Sequence, residues 1–176
     1  MQITNPTAIK NDSVKISKTT IYFELLGNAY FYSFNYDRLI YIKNKFKIST
    51  RAGISYFPNL LISSPTSKNS KIYSHNILVP VELNLIKKKK NNIEFGIGET
   101  MRLLIDKNEP KQFVDDFAFI PVARLGYRYQ QTKGGVFISA ALLTYFFILE
   151  NKHYYSRPFS PFVGLGIGYT FKNKKT

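Results

Sequence analysis

The stretch FVGLGIGYTF, residues 162–171, alternates with a period of two. Val163, Leu165, Ile167, Tyr169 and Phe171 form one set, and Phe162, Gly164, Gly166, Gly168 and Thr170 the other. A two-residue period places successive side chains on opposite faces of a β-strand. In a soluble sheet the solvated face of such a strand is polar. Here one face is large and apolar, and the other has almost no side chains. The segment therefore calls for a crowded surface on its glycine side and an apolar surrounding on the other.

The same period runs through most of the chain. Strands are predicted near 19–26, 29–41, 46–57, 72–86, 92–104, 115–130, 135–148 and 160–171. In the third, Phe46, Ile48, Thr50, Ala52, Ile54 and Tyr56 oppose Lys47, Ser49, Arg51, Gly53 and Ser55. In the fourth, Ile77, Val79, Val81, Leu83 and Leu85 oppose Glu82 and Asn84, and in the fifth Ile93, Phe95 and Ile97 oppose Glu94, Gly96, Gly98 and Thr100. In the sixth, Ala123, Leu125, Tyr127 and Tyr129 oppose Arg124, Gly126 and Arg128. Tyr30, Tyr32, Phe34 and Tyr36 oppose Ser33, Asn35 and Asp37 in the second, and Ile21, Phe23 and Leu25 oppose Glu24 in the first. The seventh, VFISAALLTYFF, is nearly apolar on both faces. The apolar run Val136 to Leu149 is too short for a membrane-spanning helix, which needs about 20 residues, though a buried helix is an open alternative there.

Short links (IKNK, KKKKN, QTKGG) follow the second, fourth and sixth segments, and longer ones near 58–71, 105–114 and 149–159 follow the third, fifth and seventh. Alternating long and short connections suit an up-and-down meander closed into a barrel, which leaves no sheet edge. Eight strands make an interior just wide enough to fill with side chains. Seven of the ten glycines, Gly53, Gly96, Gly98, Gly126, Gly164, Gly166 and Gly168, fall on the polar face. Glycine weakens a strand unless something approaches closely, and the inside of a small barrel is where room is short. The polar face is therefore expected inside and the apolar face outside, against lipid, because a barrel wall closes every backbone hydrogen bond internally. The fold class expected is all-β, an eight-stranded antiparallel up-and-down transmembrane β-barrel. Residues 19–171 form it, 1–18 are a flexible periplasmic N-terminal segment, and 172–176 are a basic tail. Leu83, Leu125, Leu165 and Ile167 are expected to face lipid.

Charge supports this division. The 176 residues carry a net charge of +14 and no cysteine, so disulfides and cysteine metal sites are excluded. A basic chain invites a nucleic-acid reading, but the lysines lie mainly in the links and ends while Arg51, Arg124 and Arg128 lie inside the alternating segments. Nucleic acid is therefore not an expected partner. Glu24, Asp37, Glu82 and Glu94 share the face of those arginines and are expected to form a luminal salt-bridge network with them, since guanidinium–carboxylate pairs tolerate partial burial. Tyr127, Tyr129, Tyr169 and Phe171 near the turn end, and Tyr56, Phe117, Phe119, Tyr145 and Phe162 near the loop end, are placed to form two aromatic girdles of the kind that bracket outer-membrane barrels.

The fragments YFELLGNAYFYSFNYDR (22–38), RAGISYF (51–57), PVELNL (80–85), IEFGIGE (93–99), RLGYRYQ (124–130) and GLGIGYTF (164–171), in this order and spacing, resemble the small outer-membrane β-barrel proteins common in Bacteroidetes. The resemblance spans about residues 19 to 171. It implies a bacterial outer-membrane location, with outer-membrane lipid and the barrel-assembly machinery as partners, and a monomer. Gly166, Tyr169 and Phe171 resemble the C-terminal assembly signal of such barrels, although the chain runs on through KNKKT instead of ending at the aromatic residue. The resemblance also implies a signal peptide. The N-terminus MQITNPTAIKNDSVKISKTT has no apolar stretch of that kind, so the reading expects a signal removed or absent from this N-terminus.

Catalysis, metals and cofactors are not expected. The luminal charges are read as a structural filling, because buried charges must be paired, rather than as an ion pathway or active site. A lipid A hydrolase would need a histidine with a serine and a carboxylate. Ser74 and Asn76 flank His75, without the His–x–Ser–Asn pattern of such deacylases, and His75 and His153 make a poor metal site without nearby acids. Lys87 to Lys90 read as a solvated turn at the membrane boundary rather than a phosphate site. GLGIG lies within a strand and precedes no helix, so it is not a nucleotide loop. The competing readings are an outer-membrane lipid-modifying enzyme, acyl hydrolase or acyltransferase, and a soluble lipocalin-like ligand-binding barrel.

Overall fold

The computed structural model describes residues 19–43, 45–58, 74–87, 91–106, 116–131, 133–146 and 160–172. Eight strands run in chain order: β1 (Thr19–Leu26), β2 (Tyr32–Lys43), β3 (Phe46–Pro58), β4 (Ser74–Lys87), β5 (Asn91–Asp106), β6 (Asp116–Gln130), β7 (Gly135–Tyr145) and β8 (Ser160–Thr170). Each pairs antiparallel with the next, and β1 pairs with β8 to close the barrel. The N-terminal segment 1–18 and most of the basic tail lie outside the described residues.

The alternation in sequence becomes an alternation across the wall. Leu83, Leu125, Leu165 and Ile167 are all exposed on the outside, between 47% and 63% of their surface. Their neighbours Glu82, Asn84, Arg124, Gly164 and Gly166 are buried inside. A soluble barrel of the lipocalin type has the opposite sense, with its apolar face within, so the wall does not fit that alternative. In β2 the register shifts between Leu39 and Tyr41. The irregularity leaves Ile40 and Tyr41 both exposed and Leu39 buried, as a β-bulge does by re-aiming a side chain.

The inner glycines sit opposite larger inner residues. Asn35 pairs with Gly53, Asn84 with Gly96, Glu82 with Gly98, and Ser139 with Gly166. A Cβ on Gly53 or Gly96 would come within 2.2 Å of the amide oxygen of Asn35 or Asn84 respectively. Each glycine thus clears the floor on which its cross-strand neighbour lies.

Three features refine the sequence reading. First, β7 is a strand from Gly135 to Tyr145, as the alternation predicted, so the alternative of a buried helix does not form over those residues. Its inner face, Phe137, Ser139, Ala141, Leu143 and Tyr145, is apolar because it lines the less charged side of the interior. Second, β2 begins at Tyr32 and not near 29, because Gly27–Ala29 form a 3-10 turn closed by Leu26 N–H donating to Phe31 O at 2.7 Å. This turn folds inward, burying Asn28 and Ala29. Leu26 and Tyr30 bracket it with φ of 60° and 66°, conformations that bulky residues adopt only when surrounding structure holds them. Third, Tyr145 and Phe162 belong to no outer girdle. Tyr145 is buried inside, and Phe162 packs with Tyr30 against an inner apolar cluster of Ile120, Val122, Ala141, Leu143 and Tyr145. They fall near the strand ends, where the inward turn supplies an apolar surface to cover. Tyr56 and Phe119 do face outward, as do Tyr127, Tyr169 and Phe171, while Tyr129 is half-buried. The side chain of Phe117 lies outside the described set.

Candidate functional site

All seven charged residues expected in the interior meet there. Arg124 on β6 reaches Glu24 on β1 at 2.7 Å and Glu82 on β4 at 3.2 Å. Glu82 gives its other oxygen to Arg51 on β3 at 2.7 Å. Arg51 continues to Glu94 on β5 at 2.8 Å, and Glu94 bonds Arg128 through its second oxygen at 2.5 Å. Arg128 then holds Asp37 on β2 by two parallel hydrogen bonds, 3.1 and 2.8 Å. Asp37 also accepts from Ser49 Oγ at 3.0 Å and stands 3.9 Å from Arg51 Nε. The result is an alternating chain Glu24–Arg124–Glu82–Arg51–Glu94–Arg128–Asp37, whose last four members close into a loop where Asp37 approaches Arg51.

Glu82 and Glu94 each divide their two oxygens between two arginines, so neither guanidinium layer can move without the other. The network joins six strands that the backbone ladders connect only to immediate neighbours. Aromatic faces support it: the Arg51 guanidinium lies 5.2 Å from the Tyr22 ring centroid and that of Arg128 5.3 Å from Phe137.

Four carboxylates face three arginines, and the alternation of β3 supplies a further cation, which the sequence reading placed on the polar face without counting it in the charge network. Lys47 points inward and is only 2% exposed. Its place was legible from its parity with Ser49 and Arg51. The sum of these eight charges is zero, which removes the cost of a net charge in a low-dielectric interior.

Both ends of the interior are filled. At the turn end Thr20 and Thr170 hydroxyls meet at 3.0 Å, and Gln130 Nε2 donates to Thr20 Oγ1 at 3.0 Å. At the loop end the inward turn is tied by Thr100 Oγ1 donating to Asn28 O at 3.0 Å and by the Tyr145 hydroxyl donating to Gly27 O. Nothing in the sequence pattern signalled this turn beyond the small residues Gly27, Asn28 and Ala29. The packed interior provides bracing across the barrel. Each of its carboxylates is engaged by a guanidinium and so is tied into the brace.

His75 stands apart from this network. It shares the outward parity of Ile77 and Val79 on β4, and its Nδ1 lies 2.6 Å from the Tyr56 hydroxyl with the two rings stacked. Tyr32 in turn donates to Tyr56 O. His153 lies outside the described residues. Among the described residues no group of three or more histidines or acids could hold a metal ion. Of the three residues that resemble an assembly signal, Gly166 is buried inside, and Tyr169 and Phe171 are exposed outside with ring centroids 5.6 Å apart. Comparison with protein families, with characterised proteins and with solved structures returned no match.

Proposed function

We propose that this chain is an integral barrel of a bacterial outer membrane, similar to the small barrels common in Bacteroidetes, with a structural role or a binding role carried by its longer loops and without catalysis. One observation carries the reading: each strand turns large apolar side chains outward, around a wall whose linked guanidinium and carboxylate groups lie inside. Leu25, Phe34, Ile54, Leu83, Phe95, Leu125, Leu142 and Leu165, one from each strand, are all more than two-fifths exposed. Water does not support a continuous apolar belt of this extent, and hydrocarbon does. Aromatic residues toward both ends of the outer face, and cations beyond them at the turn end, fit the interfacial layers of such a barrel.

On this reading the lipid is the solvent of the outer wall, the barrel-assembly machinery inserts the chain through its closing strand, and the protein is a monomer. The test is refolding from urea into lipid vesicles, read by heat-modifiable gel mobility. The expected result is a fast-migrating folded band that floats with the vesicles. A detergent-free, monodisperse soluble monomer would overturn the proposal.

A further inference from the structure

We propose that the outer face of β6, β7 and β8 binds one anionic phospholipid, with an acyl chain in a groove over Ala140 and the phosphate at Lys133 and Lys172. The site rests on the membrane reading above.

The groove arises from a single small residue in a row of large ones. Ala140 pairs with Tyr127 on one side and with Leu165 on the other, and the next row is Leu125, Leu142 and Val163. These side chains wall an apolar depression of about 280 Å³ whose floor is Ala140 with the backbone beside Gly126 and Gly164. A lipid chain seated there touches the walls on both sides as well as the floor, and so gains more contact than on a flat face.

The same three strands end in cations. Lys133 lies in the β6–β7 turn and Lys172 just beyond β8, both exposed. Lys172 lies against that turn, since a Cβ on Gly134 would come within 2.7 Å of Lys172 Cγ. Between groove and lysines the outer face carries Ile138, Val136 and Tyr169. From Ala140 to Gly135 the strand advances about 17 Å at 3.4 Å per residue. With the tilt of barrel strands, this approaches the half-thickness of a hydrocarbon core of about 30 Å. A chain seated over Ala140 therefore brings its headgroup to the turn end.

The occupant is anionic because of the charge at that end. The described turn-end surface also exposes Arg38, Lys43, Lys45 and Lys87. The carboxylates of that half, Asp37 and Glu94, are buried and bonded to arginines. Charge alone would gather anionic lipid all round the rim, whereas charge with a groove below it selects one position.

The test reconstitutes the full chain in phosphatidylcholine vesicles containing a minor fraction of phosphatidylglycerol. The protein is then extracted in mild detergent, and retained lipid is counted by native mass spectrometry, with heat-modifiable mobility read on the same samples. Wild type should keep one phosphatidylglycerol in preference to phosphatidylcholine. Lys133→Gln with Lys172→Gln should lower that preference by about tenfold or more, the effect of two cations at a headgroup layer. Ala140→Phe should abolish retention of either lipid, and Lys43→Gln with Lys87→Gln should retain lipid as wild type does. Equal losses from the two lysine pairs would overturn the site in favour of a diffuse cationic rim. Retention unchanged by Ala140→Phe, or displacement of the lipid by inorganic phosphate, would overturn the acyl assignment. A protein that inserts yet keeps no anionic lipid refutes this site alone, and one that never enters the vesicles refutes the membrane reading with it.

Discussion

Arg128 on β6 and Asp37 on β2 clasp each other across the barrel through both nitrogens and both oxygens, at 3.1 and 2.8 Å. Neither side chain is exposed to any measurable extent. The backbone ladder joins β2 to β6 only through three intervening strands, β3, β4 and β5 on one side and β1, β8 and β7 on the other. Asp37→Ala should therefore destabilise the barrel by about 3–5 kcal/mol, because it removes the two-point partner of Arg128 and leaves the buried network with an excess positive charge. Asp37→Leu combined with Arg128→Met should cost less than Asp37→Ala alone. Urea titration followed by gel mobility measures both, and a double variant less stable than the single would show that the charges themselves hold the interior.

Adjacent positions on β8 should fail for opposite reasons. Leu165 is 55% exposed on the outer face, and Leu165→Arg should cost about 2–4 kcal/mol if it lies at the bilayer midplane. Gly166 is buried, and a Cβ there would meet Ser139 Oγ at 2.4 Å and the Tyr22 ring at 3.0 Å. Gly166→Leu should cost about 1–3 kcal/mol or more by overpacking. Equilibrium refolding into vesicles compares them. Wild-type behaviour of Leu165→Arg would remove lipid from the outer wall.

Two glycines of the same strand should tolerate alanine unequally. At Gly166 the nearest obstacle is a serine hydroxyl, which can rotate away, whereas at Gly168 it is the carbonyl oxygen of Ile21, at 2.2 Å, fixed in the β1–β8 ladder. Gly168→Ala should be the more destabilising, by about 1 kcal/mol or more, as backbone must shift to admit the methyl group. Thermal unfolding of the two variants ranks them.

Orientation of the wall is open to single-cysteine labelling, since the chain has no cysteine of its own. Cysteines at Leu83, Leu125 and Leu165 should react with probes dissolved in the lipid phase, and those at Asn84, Gly126 and Gly166 should stay protected. The reverse pattern would turn the barrel inside out.

The inward turn should loosen when its ties are cut. Tyr145→Phe with Thr100→Val removes the hydroxyls that donate to Gly27 O and Asn28 O. Each buried hydrogen bond is worth about 0.5–1.5 kcal/mol, so the pair should lower stability by about 1–3 kcal/mol. Amide exchange at residues 27–31 should rise more than in the strands. Uniform exchange across the barrel would assign those bonds no local role.

The period of two determined, from sequence alone, which residues share a face. That preference is local to each strand, which is why Leu83, Leu125 and Leu165 could be separated from Glu82, Arg124 and Gly166 before any strand was paired. The glycines added the sense of closure, because only a crowded inner surface has use for them. Even Lys47 was placed by its parity. What the chain could not announce was which inner charges meet. The bidentate clasp of Arg128 on Asp37, and the division of Glu82 and Glu94 between two arginines each, depend on the closed wall bringing β2 and β6 across from one another, which no window of neighbouring residues encodes. The strand ends were decided in the same way. Tyr145 and Phe162 are aromatic residues near a rim, equally suited to a girdle or a plug, and it was the turn of Gly27–Ala29 folding inward that gave them a surface to cover. Periodicity is a property of the strand, whereas contacts across the interior and at its mouth are properties of the closed barrel.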